Sequence, residues 1–388
     1  MKKQTVITIV VTAVCALLLA AGAVYASRSD PEENNPYYTI EYELVRVTQV
    51  LADNYTVDDN AEHALRGSQT LNVNVLTGRY KGDSFTVTNY LGPMHEKLAK
   101  KGSVLTVTIT SDSREAGYQM SVINYDYTWL IAVMLLLFAA AVIIVGRRKG
   151  LMSLIGLAAT LVAIVFILVP LWLKGHRAIP LTLGISIVIS VLCFTLLGGV
   201  TKKTLAAMLG TTLCIITAGI FAWVCSRIAG VSGMTMSEAE WLLDEAQATG
   251  RVLNVRGLFV SGIIISSLGA VMDVAMSISS AVTELHEVDP GMGFGRLFRS
   301  GMNIGRDMIG TMTNTLILAF AGTSLNLIII MYAAGMQPYQ LFNNNDTIME
   351  LIRAIAGSIG LVLAVPFTAA VASLWHSDPQ TEGDGEGE

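Results

Sequence analysis

The sequence predicts an all-α polytopic membrane protein, with about eight transmembrane helices and a small extracytoplasmic β-rich insert resembling an OB-like barrel. Three observations predict it. Of 388 residues, 53% are hydrophobic and only 14% charged, whereas a soluble domain carries about a quarter charged residues. Eight apolar runs, roughly 5–26, 128–146, 151–173, 179–198, 205–226, 257–281, 308–332 and 351–374, are each near the length that crosses a bilayer as a helix. Between the first two lies a polar, β-branched stretch, 27–127, of a different kind. The predicted domains are an N-terminal anchor (1–26), the extracytoplasmic domain with its linker (27–127), a seven-helix membrane domain (128–374) and an acidic cytoplasmic tail (375–388).

The first run follows Lys2 and Lys3 and ends at Val24-Tyr25-Ala26. Its length suits a membrane anchor, and its end also suits a signal-peptide cleavage site. Either choice places the following residues outside. Ser27–Pro36 reads as a linker. Thr39–Leu51, Leu71–Leu76, Ser84–Asn89 and Val104–Thr110 read as strands, with a turn at Gly78–Gly82. His63 and His95 are isolated and read as surface histidines. Lys97, Lys100 and Lys101 read as a solvated turn. Basic and aromatic residues do not interleave as a strand-binding face requires, and the net charge of −5 gives no electrostatic footprint for nucleic acid.

Orientation follows from the basic residues of the short loops. With the N-terminus cytoplasmic, ten fall inside: Lys2, Lys3, Arg147, Arg148, Lys149, Lys202, Lys203, Arg296, Arg299 and Arg306. Five fall outside: Lys174, Arg177, Arg227, Arg251 and Arg256. Both termini are therefore placed in the cytoplasm. The four cysteines, Cys15, Cys193, Cys214 and Cys225, all lie in apolar runs and form no CxxC. They predict neither a disulfide framework nor a zinc site.

The sixth run carries the strongest functional signal. Gly262, Ser266, Gly269, Asp273, Ser277, Ser280 and Glu284 recur every three or four residues, which places them on one helical face. A carboxylate at bilayer depth costs about 2.5–3.5 kcal/mol by insertion scales and marks a candidate functional site. One reading is a buried packing carboxylate paired with a Thr, Asn or Arg. The other is a proton or cation path through Asp273, Ser277, Ser280, Glu284, Thr311, Thr315 and Asn326, with Gly262, Ser266, Gly269 and Gly322 as a helix-packing stripe. The hydroxyls of the seventh run also have a structural alternative, bonding back to their own helix. Glu284, His286, Glu287 and Asp289 crowd the helix end but match no metal-loop spacing. Pro290 ends the helix, and Gly291, Gly293 and Gly295 read as turn glycines. The segment 295–307 reads as a short amphipathic surface helix with Leu297, Phe298 and Ile304 toward the membrane. Ser237–Glu240 forms a capping-box pattern opening an interfacial helix anchored by Trp241. Pro366 predicts a kink in the last run.

The runs LGAVMDVAMSISSAVTEL (268–285) and GMNIGRDMIGTMTNTLILAFAG (301–322), with the anchor and β-rich insert, resemble the YibE/F family of bacterial membrane proteins over about 40–375. That resemblance implies a multi-pass protein of the bacterial cytoplasmic membrane and names no substrate. A fainter similarity to the SecD/SecF and RND-type permeases places Gly269, Asp273, Glu284, Thr311 and Thr315 in comparable positions and implies that Asp273 carries protons. This chain departs from them in its extra spans before the carboxylate, its smaller soluble domain and its single copy of the module. The functional expectation is a permease or permease component coupled to protons or cations. The alternative is a non-transporting scaffold that acts through the β domain. No nucleophile–base pair or metal motif lies at matched depth, so no enzyme activity, cofactor or metal is expected. The expected partners are the lipid bilayer, a small solute or ion, and a second copy or a related membrane protein.

Overall fold

The computed structural model describes residues 2–27, 38–58, 64–92, 97–112, 118–233, parts of 240–247, and 252–377. They form two compact units, Ser29–Ala141 and the pairing of Met1–Arg28 with Val142–Glu388. His63, His95, Ser237, Trp241 and the tail 378–388 lie outside the described residues.

The first unit is a five-stranded antiparallel sheet in the order β3-β2-β1-β4-β5. Its strands are β1 (Tyr38–Asp58), β2 (Ala64–Val75), β3 (Ser84–Leu91), β4 (Val104–Asp112) and β5 (Tyr118–Tyr125). Apolar residues at every second position create the core: Val45 and Val47, Leu71, Val73 and Val75, and Leu105, Val107 and Ile109 are all buried. β1 shifts register between Val47 and Gln49 and again between Val50 and Ala52. Such bulges bend a strand. Its first half pairs with β4 and its second half with β2, and the edge strands β3 and β5 approach each other, so the sheet curls. β5 is an addition to the strands expected from sequence.

Two polar clusters fix the sheet's loops. Gln69 is 2% exposed. Its Nε2 donates to Asp53 Oδ1 at 2.7 Å, while its Oε1 accepts from the Ala99 N–H at 2.8 Å and from Asn89 Nδ2 at 3.2 Å. At the β2–β3 turn, Thr77 Oγ1 donates to Glu43 Oε2 at 2.5 Å and accepts the Leu44 N–H. Gly78 sits there at φ 68°, and a Cβ at that position would overlap the Glu43 carboxylate.

The second unit is helical. Its elements are α1 (Lys2–Ala26), the latter part of α2 (Thr128–Ala163), a π-helical turn (Ile164–Leu168), α3 (Val169–Leu173), α4 (Ala178–Gly198), α5 (Lys202–Ala229), α6 (Val255–Val288), α7 (Phe294–Thr323), α8 (Leu325–Ala333), α9 (Pro338–Phe342) and α10 (Asn345–His376). Among the described residues, six helical stretches are long and apolar enough to cross a membrane, or seven if α7 and α8, bent by 52°, count as one span.

The stretch Thr128–Leu173 counts once there at 46 residues. It breaks at Arg147, whose φ of 48° and ψ of −129° are not helical. A Cβ on Gly150 would overlap the Val142 carbonyl. In a straight helix those residues stand about 12 Å apart along the axis. The chain therefore doubles back at Arg147–Lys149, which is the break expected between the runs 128–146 and 151–173. The π-helical turn comes just before Pro170, which has no N–H and cannot continue the ladder.

α6 is the central helix and packs against α4, α5, α7 and α10. Small residues allow the close approaches. A Cβ at Gly360 of α10 would stand 2.9 Å from Ala218 of α5. A Cβ at Gly301 of α7 would stand 2.9 Å from Val282 of α6 and 3.1 Å from Ala369 of α10. Leu297, Gly301 and Gly305 are all buried and form a seam every four residues. This corrects the surface-helix reading of 295–307. That segment is the first part of α7 and packs into the bundle, because its glycines recur on the same face as Leu297. Pro366 lies inside the continuous helix α10.

Candidate functional site

The buried face of α6 carries Val260, Ile264, Ser267, Val271, Val274, Ile278 and Val282. Asp273 lies on the opposite face. That face, Gly262, Ser266, Gly269, Asp273, Ser277 and Glu284, is exposed in the single chain, with Ser280 half-buried. The regular spacing thus produces a one-sided stripe, and the stripe is the side α6 leaves open.

The upper part of the stripe forms one wall of an open cleft of about 490 Å³. The other walls come from α2, the π-helical turn and α4. Ser153, Gly156, Thr160, Ile164, Ile189 and Cys193 face Ser266, Gly269 and Asp273 across it. Gly156 brings α2 against α4, since a Cβ there would stand 3.1 Å from Cys193 Sγ.

The cleft's polar atoms are mostly acceptors. Thr160 Oγ1 donates to the Gly156 carbonyl at 2.9 Å, and Ser266 Oγ donates to the Ile263 carbonyl at 3.1 Å. Each hydroxyl has one proton, so with that proton committed the oxygen has only lone pairs to offer. No Lys, Arg or His is among the described residues lining the cleft. A carboxylate among acceptor oxygens suits a cation or a proton-bearing group and repels an anion.

Only part of the expected path comes together. Asp273, Ser266 and Gly269 share the cleft, while Gly262, Ser277, Ser280 and Glu284 continue the same helical face. Thr311, Thr315, Gly322 and Asn326 do not line it. They are exposed on α7 and α8, and Thr315 Oγ1 donates to the Thr311 carbonyl at 2.9 Å. The reason is that α7 meets the bundle through its methionines and leucines. Met308, Met312 and Leu316 pack with Val271, Val274 and Ile278 on the far side of α6 from Asp273. The polar face of α7 consequently lies away from this cleft in the single chain.

Sequence reasoning missed Ser153, Thr160 and Cys193. The available signal was Ser153, Gly156 and Thr160, spaced three and four apart in the third apolar run, which marks one face of that helix. At the end of α6, His286 meets His376 of α10 with ring centroids 5.2 Å apart. Among the described residues no group of three or more His, Cys, Asp or Glu is placed to hold a metal ion.

Residues 134–378 match the profile of the YibE/F-like protein family. The chain belongs to the YibE/F family. The match spans α6 with its stripe, the cleft and the glycine seam of α7. It starts inside α2, so the β sheet lies outside the family region, although the resemblance read from sequence extended from about residue 40. No curated protein and no solved structure gives a significant match to this YibE/F chain.

Proposed function

We infer that this chain is a permease or permease component of the bacterial cytoplasmic membrane, and that Asp273 is its proton- or cation-binding group. One observation carries the reading: a carboxylate stands in an open cleft where the Thr160 and Ser266 hydroxyls present acceptors and where no described lining residue is cationic. The long apolar helices and YibE/F membership support embedding in a membrane. The packing of α1, with Cys15 and Ala26 buried and Gly22 against Ile167, supports an anchor rather than a cleaved leader. The basic-loop asymmetry supports cytoplasmic termini. The reading assigns no covalent chemistry and no cofactor.

Asp273→Asn removes the charge and keeps the shape, while Asp273→Glu keeps the charge. In cells lacking the protein, Asp273→Asn is expected to abolish rescue and Asp273→Glu to retain part of it. Full rescue by Asp273→Asn would end the permease reading.

A second reading has its own observation. The β sheet belongs to a compact unit of its own and lies outside the family region. Its ring order, 1-2-3-5-4 once the edges meet, is that of a five-stranded Greek-key barrel and supports an OB-like fold. A scaffold acting through this barrel predicts that deletion of 37–126 abolishes rescue while Asp273→Asn does not.

A further inference from the structure

Tyr125 closes β5 and Thr128 opens α2, so residues 125–129 join the sheet to a long apolar helix. The segment 97–101 is fastened to this junction. Tyr125 Oη donates to the Lys97 carbonyl at 2.6 Å. Lys97 Nζ stands 4.7 Å from the Tyr125 ring centroid and 5.7 Å from that of Tyr127. Two residues on, Ala99 is buried and its N–H is bonded to Gln69. With Ala99 held down, Lys100 and Lys101 are exposed beside the junction. Asp126 is the junction's acid, and its Oδ1 accepts the Thr128 N–H at 3.0 Å, so its charge faces the helix N-terminus. Including Glu96, outside the described residues, the run 96–101 carries three lysines against one acid.

We propose that Lys97, Lys100 and Lys101, with Tyr127 and Trp129, form a docking surface for the phosphate headgroups of anionic phospholipids where α2 enters the membrane. Tyr127 and Trp129 are 38% and 66% exposed, and Leu130, Ile131 and Met134 follow them on the exposed helix surface. Amphipathic rings at the start of an apolar helix mark headgroup depth. Ammonium groups on flexible stems reach phosphates at that depth. A soluble acidic peptide would match the lysines and leave the adjoining apolar residues without a partner. The surface rests on the membrane reading of α2 and is independent of Asp273.

The test uses the full chain in nanodiscs of equal phosphatidylglycerol and phosphatidylcholine, with the lipids retained on release counted by native mass spectrometry. The wild type is expected to retain excess phosphatidylglycerol. Lys100→Gln/Lys101→Gln, which touches neither ring, is expected to reduce that excess about fivefold, and adding Lys97→Gln to reduce it further. Equal retention by wild type and variants overturns the proposal. So does loss of the excess to soluble polyglutamate, which would assign the lysines to an acidic protein. An alkaline carbonate wash separates the two readings: release of the wild-type chain sinks the membrane reading, whereas a chain that stays in the pellet without a lipid difference sinks this proposal alone.

Discussion

The sheet and the α6 helix treat their polar groups in opposite ways. In the sheet, Gln69 is buried and its amide bonds to Asp53, Asn89 and the Ala99 backbone. That network holds a loop down and is part of the architecture. In α6, two hydroxyls on the packed side are used: Ser267 bonds the Ile263 carbonyl, and Ser279 donates to the Lys203 carbonyl at the start of α5 at 2.6 Å, while Ser261 is buried there without a hydrogen-bond partner. Asp273 and Ser277 stand on the other side, exposed in the single chain. The contrast separates polar groups that hold the fold from polar groups that the single chain leaves exposed.

The contrast can be broken by substitution. The largest stability effect is expected at Gln69→Leu. It leaves buried donors unpaired at Ala99 and Asn89, at about 1–3 kcal/mol each. The thermal midpoint of the sheet's circular dichroism should fall, and an unchanged midpoint would show the network to be idle. Gly305→Val is next. A Cβ there overlaps Val365 of α10, and overpacking costs about 1–3 kcal/mol. It should lower the melting of the helical unit and leave the sheet's transition in place.

Alkaline pH probes the junction at Tyr125. Burial, and secondly the nearby Tyr127, push its hydroxyl from the usual 10 up to about 12. The folded state therefore holds the proton longer than the unfolded chain, so this contribution is intact below about pH 10 and is lost as pH rises through about 12. Stability of the sheet should decline over that window, and Tyr125→Phe should flatten the decline. Tyrosinate absorbance that titrates entirely near 10 would refute it. The smallest effects sharpen the comparison. Thr315→Val should change stability by less than about 0.5 kcal/mol, as exposed substitutions do, and Asp273→Asn, which removes a charge and leaves the packed face of α6 untouched, should leave the helical unit folded. Only Asp273→Asn should impair the proposed transport.

What sequence made legible follows from where each signal resides. The α6 stripe lies within one helix, so spacing alone displays it. The fold-back at Arg147 was legible because three basic residues and Gly150 interrupt two apolar runs. The cleft was not, because Ser153, Cys193 and Asp273 belong to three helices and no spacing relates them. The start of α7 misled because alternating charges and apolar residues look alike on a membrane surface and in a bundle. The Leu297–Gly301–Gly305 seam decides the matter only when the partners Val282 and Ala369 are seen. β5 was missed because Tyr118–Tyr125 is short and adjoins the next apolar run.

The doubling-back at Arg147 also sets the reach of the apolar helices on either side of it. Unbroken, the 46 residues from Thr128 to Leu173 would extend about 69 Å, more than twice the hydrocarbon depth of a bilayer. Split there, the runs 128–146 and 151–173 reach about 29 Å and about 35 Å as helices, each near the depth of one bilayer. Three basic residues and one glycine thus turn one stretch too long for a bilayer into two of matching length.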